Sequence, residues 1–284
     1  LNISSSGKGM TGVSMEGDVA FSLLNPASLS VNKYGAYFSY STKLDNSWDY
    51  KVVDDLFIKN KLSKFTEPFF VGLSYNFLEK VNIGIAYARK ASYKGNAIDW
   101  PGTAKVDIET IYLPVSYEIN KLKIGVGVNY NFIDTSENIP ESYYSKSDFN
   151  MMDFTFGAIY NLNKNITLGL TYKHSSYKSY SLSEDIIEYG ERGEPSVEHY
   201  DSDFYIKTPN EVKLGLKYAF TKIPLICLVE YHYENTSVIF DELDIAEEFG
   251  LKMKDRHNVH LGTEWNANNN LTLRTGFFTL FNTM

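Results

Sequence analysis

The chain has 284 residues, among them 22 tyrosines, 18 phenylalanines and a single cysteine, Cys227, at a formal net charge of -8. One cysteine rules out an internal disulfide or a thiol metal cluster, and the acidic balance argues against nucleic acid as a partner. Mean hydropathy is only -0.27 despite the aromatics, and no stretch approaches the roughly 18 apolar residues of a spanning helix, so a membrane could be crossed only by strands with one greasy and one wet face.

At the front, Gly7-Lys8-Gly9-Met10-Thr11-Gly12 spells G-x-G-x-x-G. A dinucleotide turn needs a buried strand before it and a helix after it, and only "LNISSS" precedes this one. No secretory signal peptide is visible, as in a processed chain. Residues 1-33 are therefore read as a Gly- and Ser-rich segment ahead of the first strand, and 34-284 as a sheet domain.

Strict alternation dominates the sheet domain. In "VNIGIAYARK", Val81, Ile83, Ile85 and Tyr87 oppose Asn82, Gly84, Ala86 and Ala88, and "KLKIGVGVNYN", "NITLGLTYK" and "EVKLGLKYAF" repeat the pattern. In chain order the periodicity predicts strands over 34-44, 68-78, 81-91, 106-119, 122-134, 149-161, 165-178, 203-220, 223-236, 254-266 and 270-282. Most reach the roughly 9-11 residues that a tilted strand needs to cross a bilayer.

Connections alternate in kind. "LEK", "NKL", "NKN", "TKI" and "ANNN" are short, whereas "DNSWDYKVVDDLFIKNKLSKFTE", "SLSEDIIEYGERGEPSVEHYDSD" and "SVIFDELDIAEEFGLKMKD" are long and polar. Short turns on one rim and long loops on the other mark an outer-membrane barrel. The apolar faces end in Tyr87, Tyr130, Tyr172, Tyr231 and Phe277 towards the long loops, and in Tyr75, Tyr117, Tyr160, Tyr218 and Trp265 towards the short turns. Those are two aromatic girdles. The fold class expected is all-β, a transmembrane antiparallel barrel with eleven strands in this chain. An even strand number closes such a barrel, so further strands are expected beyond Met284.

With a barrel in place, the opening segment becomes readable. It contains Gly9 and Gly12 and then Asp18, Ala20, Asn25, Pro26, Ala27 and Leu29 in a D-x-x-A…N-P-A-x-L pattern. "TPNEVKLGLKYAF" and "HNVHLGTEWNANNNLTLRTGFFT" add strand and hairpin motifs, with Trp265 and Phe277 where tyrosines are usual. The chain thus resembles the FadL-type outer-membrane transporters of fatty acids and other hydrophobic compounds, over most of its length. PorV-like secretion-associated barrels share the same signatures. The resemblance implies a barrel of about fourteen strands, a luminal hatch formed by residues 1-33 that plugs it from the periplasmic side, and Asn25-Pro26 as a rigid turn whose amide satisfies bare backbone.

Chemistry along the chain is sparse. The histidines are His174, His199, His232, His257 and His260; the last two lie three apart on a strand and face opposite ways, so they cannot share a metal. No nucleophile elbow, HExxH or phosphate loop occurs in its required context, so neither catalysis nor a cofactor is expected. Lys213, Lys217, Glu230, His232, Glu264 and Arg274 fall on the wet face, either as a gate that holds the hatch or guides a carboxylate headgroup, or as cross-strand partners in a polar lumen. Pro114 sits mid-strand without a donor, marking either a lateral exit or a harmless bulge. The acidic loop 240-250, with Asp241, Glu242, Asp244, Glu247 and Glu248, does not match an EF-hand and reads as solvated.

The function expected is passive uptake of fatty acids or other small hydrophobic molecules through a hatch-plugged lumen in the outer membrane of a Gram-negative-type bacterium. The partners are then outer-membrane lipid and a small hydrophobic ligand, with a protein partner conceivable at the long loops and none of nucleic acid. The alternative is a PorV-like scaffold or carrier that docks proteins.

Overall fold

The computed structural model describes residues 11-40, 47-53, 56-65, 69-97, 103-139, 143-189, 195-237, 254-268 and 271-279. Among these described residues, a one-turn helix, α1 (Val19–Ser22), and a 3-10 turn (Pro26–Ser28) precede fifteen strands. Eleven of the strands succeed one another in an antiparallel path: β1 (Tyr34–Tyr40), β4 (Phe69–Leu78), β5 (Val81–Ala97), β6 (Thr103–Ile119), β7 (Leu122–Ile139), β8 (Tyr143–Asn161), β9 (Ile166–Lys173), β12 (Glu211–Ala219), β13 (Leu225–Glu234), β14 (Arg256–Asn268) and β15 (Leu271–Phe278). The other four make two hairpins off this path, β2 (Ser47–Val53) with β3 (Leu56–Phe65), and β10 (Tyr177–Tyr189) with β11 (Pro195–Lys207).

The path is the wall of an outer-membrane barrel, and its two faces arise from the alternation. Leu73, Ile85, Val115, Val126, Leu170, Leu214 and Val229 are all exposed, as a lipid-facing surface must be. Ser74, Asn82, Thr110, Ser116, Lys123, Thr171 and Glu230, on the opposite face, are all buried. Exposed Tyr75, Tyr117, Tyr160, Tyr218 and Trp265 lie at the short-turn end, and Tyr130, Tyr172, Tyr231 and Phe277 at the other. Asn120 makes the β6–β7 turn in the left-handed region at φ 55°, which an asparagine tolerates better than most residues.

The boundaries depart from the periodicity in informative ways. The expected strand 203-220 is two: β11 ends at Lys207, and β12 starts at Glu211 after Thr208, Pro209 and Asn210. Likewise 165-178 breaks after Lys173 and resumes as β10 at Tyr177. Strands β5 to β8 run well past the expected ends, so much of the long connections is paired β-structure standing above the lipid. Two of those connections hold the hairpins, and β10 also pairs with β8 through Ser183↔Lys146 to Ile186↔Tyr143. Polar strands satisfy their backbone by pairing and need no apolar face in water, so alternation does not betray them.

Candidate functional site: the amino-terminal segment on the inner wall

Residues 11-31 lie against the inner face near the short-turn rim. They contact β4, β5, β6, β7, β8, β9, β12 and β13 in turn, which a sheet can offer one short segment only by curving around it.

Local chemistry shapes the segment first. Asp18 caps α1 by accepting from Ala20 N at 2.9 Å, and Asn25 caps the 3-10 turn by accepting from Ala27 N at 3.0 Å. Pro26, the next residue, has the fixed φ that a first helical position favours. The Asn25 amide also donates to Val13 O at 2.7 Å, and to the wall carbonyls of Ala158 at 3.1 Å and Leu170 at 3.3 Å. One side chain, fully buried, thereby ties the segment to itself and to two strands. Gly17 and Leu29 form a parallel bridge, with Gly17 N donating to Ser28 O at 2.9 Å and Ser30 N to Gly17 O at 2.8 Å.

The wall is built to receive this backbone. A Cβ at Gly157 would collide with Asn25 Oδ1, and one at Gly125, its cross-strand partner, with the Pro26–Ala27 peptide. Only glycine permits that approach. Wall side chains then take up the segment's carbonyls: Ser116 Oγ donates to Leu29 O at 2.7 Å, Thr171 Oγ1 to Leu24 O at 3.1 Å, and Tyr112 Oη to Ser22 O.

Charge anchors both ends. The Glu230 side chain, 0% exposed, accepts from Gly12 N and from Val13 N, the latter at 2.6 Å, and lies 3.3 Å from His232 Nε2. Lys123, only 7% exposed, pairs with Glu16 and donates to Ser30 Oγ at 3.1 Å, while Asn161 donates to Glu16 Oε1 at 3.1 Å. Burial pushes the Glu16 carboxyl up, but the Lys123 and Asn161 hydrogen bonds outweigh it and hold the group below its ordinary 4.5.

Above these anchors the inner wall divides. On one side Val19, Ala20 and Leu29 pack on Phe70, Ala86, Ala88 and Tyr112 as an apolar cluster. Beside it, starting at Thr110, the cross-strand partner of Ala88, runs a polar face: Thr110 bonds Asn131 at 2.7 Å, Asn131 bonds Asp153 at 2.8 Å, and further round Glu211 joins Lys173 and Lys213, each at 3.0 Å.

The structure distributes the candidate residues unevenly. Gly12, Asp18, Ala20, Asn25, Pro26, Ala27 and Leu29 all belong to the packed segment, whereas Gly9 and the acidic loop 240-250 lie outside the described residues. Glu264 pairs with Arg274 across β14 and β15 at 2.8 Å, Lys213 pairs with Glu211 on its own strand, and Lys217 contributes its charge to the surroundings of Glu16. Glu230, by contrast, reaches the amino-terminal segment. Pro114 is buried opposite Gly127, with its ring over Gly84; the ladder to β5 omits Leu113 and Pro114 and resumes without a register slip. His257 meets Tyr231 at 2.6 Å on the outer face, and His260 stacks on His232 on the inner face with ring centroids 4.1 Å apart. Alternation alone did not single out Lys123, Glu16, Tyr112 or the wall glycines. The signal for the last was present in "NIGIAY", "KIGVGV", "FGAIY", "TLGLTY" and "KLGLKY", each with a glycine on the wet face.

The profile of the outer membrane protein beta-barrel domain family matches residues 19-223. Among solved structures, the chain is similar to the Ralstonia pickettii toluene transporter TbuX, with a TM-score of 0.69 at 13% identity over 98% of this chain and 86% of that one. It is also similar to the Pseudomonas putida toluene transporter TodX, with a TM-score of 0.69 at 15% identity over 97% and 82% of the two chains. A Pseudomonas aeruginosa FadL homologue superposes with a TM-score of 0.66 at 13% identity over 100% of this chain and 81% of that one. None of the curated proteins matches by sequence. At these identities the likeness is one of fold.

Proposed function

The chain belongs to the outer membrane protein beta-barrel domain family, and from that premise we propose that it carries small hydrophobic compounds passively across the outer membrane, with residues 1-33 as a luminal hatch. The observation that carries this reading is the seating of residues 11-31. The segment lies within the wall, covers an apolar patch at Phe70, Ala86, Ala88 and Tyr112, and is held by a few polar anchors. A permeant that occupied the apolar patch would compete with Val19, Ala20 and Leu29 for the same surface, and their displacement would open the lumen. Fatty acids fit the scheme as molecules with an apolar tail for the patch and a polar head for the polar face that adjoins it. The solved structures of similar fold include toluene transporters, which favours uptake over protein docking.

Mass spectrometry of small molecules extracted from the detergent-purified chain, beside an Asn25→Ala, Pro26→Ala variant, tests the reading. A stoichiometric apolar ligand that is depleted in the variant is the expected result. Absence of ligand from both proteins, together with no transfer of fatty acid or toluene into proteoliposomes, would overturn it.

A further inference from the structure

Between β8 and its downstream neighbours the wall is unzipped. The β8–β9 ladder ends at Thr155↔Lys173, and β8 is paired on that side again only at Lys146↔Ser183, on β10. On its other side β8 stays in register with β7 throughout. The interruption leaves an open cleft of about 760 Å3, bordered by Tyr130, Asp148, Asn150, Met152, Tyr177 and Lys178.

Its chemistry is mixed in an ordered way. Tyr130 and Met152 are cross-strand partners, exposed at the outer aromatic girdle, and form the lower end. Beyond the outer girdle, Asn150, Asp148 and Lys146 point outward on the same strand face. Phe154 O accepts from His174 N at 2.9 Å and Met152 O from Ser176 Oγ at 2.7 Å. Alternate residues of a strand aim their backbone groups the same way, so Asn150 and Asp148 also direct N–H and C=O into the gap, where β10 is not laddered. Phe149, on the lumen-facing side, stacks on Tyr180 at 4.6 Å and backs the gap from within. It is a cleft open to the membrane boundary rather than a hole.

A ligand for this cleft must give hydrogen bonds to main-chain carbonyls and take them from main-chain N–H groups, offer a flat face to tyrosine rings, and arrive from the bilayer. An acyl chain meets none of the polar requirements. Charge at the cleft is balanced, with Asp148 and Lys178 both on its border and with the neighbouring Asp107 and Asp134 already paired to Lys105, so a net charge on the head gains nothing there. Hydroxyl groups serve as donors and acceptors alike, and sugar rings pack on aromatic faces. We propose that the cleft between β8 and β10 binds the uncharged saccharide head of an outer-leaflet glycolipid, with its chains descending past Met152 and Phe154. The site is separate from the hatch and does not depend on what the lumen carries.

Hydrogen exchange over residues 147-154 provides the test, in phosphatidylcholine nanodiscs alone, with monoglucosyl diacylglycerol, or with phosphatidylglycerol of the same chains. Exchange should slow roughly tenfold with the glucosyl lipid only, and the effect should vanish in Ser179→Trp, which fills the cleft, and in Tyr177→Ala, which removes a ring. Equal exchange in all three bilayers, or equal slowing by phosphatidylglycerol, would overturn the proposal. Heat-modified electrophoretic mobility reports that each variant is folded, and fatty-acid transfer into proteoliposomes should be unchanged in both.

Discussion

Glu230 meets backbone rather than a lysine or arginine. Its carboxylate collects the N–H groups of Gly12 and Val13 at a point where water is excluded. Removing it would orphan two buried donors, each costing about 1-3 kcal/mol. Glu230→Ala should therefore release the front of the segment to proteinase K, whereas Glu230→Gln, which keeps an acceptor oxygen, should release it less; cleavage read by mass spectrometry checks both. Gly157→Ala acts from the wall side by driving a methyl group into Asn25 Oδ1, a clash expected to cost about 1-3 kcal/mol. Its signature should be faster exchange of the Val13 to Leu29 backbone with an unchanged barrel. Glu16 supplies the pH dependence. Its carboxyl is held below 4.5 in the folded chain, so its contribution is complete above that value and is lost as the pH falls through the depressed one. Acidification should loosen the segment in this window, and Glu16→Gln should flatten the response, both read by the same proteolysis. Alternation could place Glu230 on the wet face, but its partner lies more than two hundred positions away and no local pattern encodes that pairing.

At the scale of elements, lipid-embedded strands were legible and water-exposed ones were not. β4, β9 and β12 alternate because one face meets lipid and the other a polar lumen, and that demand writes a period of two into the chain. β10 and β11 carry "SLSEDII" and "VEHYDSD", polar on both faces, yet pair through thirteen positions from Tyr177↔Lys207 to Tyr189↔Pro195. Their side-chain contacts are exposed, such as His199 with Asp185 at 2.7 Å, and exposed pairs contribute little stability. The hairpin is laddered to the wall at four positions of β8, with the Phe149–Tyr180 stack and a Ser147 Oγ to Ser181 O hydrogen bond beside them. Replacing 177-207 by a short turn should leave the barrel folded, with its heat-modified mobility retained, because the β9–β12 ladder from Tyr218↔Ile166 to Glu211↔Lys173 does not involve the hairpin.

For the whole molecule, the decisive asymmetry is between faces. Val126 lies on the exposed apolar side and Thr171 on the buried polar one. Val126→Arg places a charge in lipid and should cost about 2-4 kcal/mol near the midplane, measured by urea titration of folding into phosphatidylcholine vesicles. Substitutions on the buried polar face that do not touch residues 11-31 should barely move that titration. Composition, alternation and loop parity conveyed this architecture, because each records contact with lipid or water. The seat of residues 11-31 was legible only as the Asp18 to Leu29 motif, since its partners are glycines, hydroxyls and a few charged or amide groups dispersed over eight strands.

The contact between Gly12 and Glu230 joins positions 218 apart. A ribosome therefore makes one end of that bond long before the other, and the Gly12 and Val13 N–H groups have no Glu230 carboxylate to meet until β13 has joined the wall. What is synthesised first settles late. Assembly of the barrel should then proceed at the same rate without residues 1-33, and the loose front of the chain should be the last part of the nascent protein to escape periplasmic proteases.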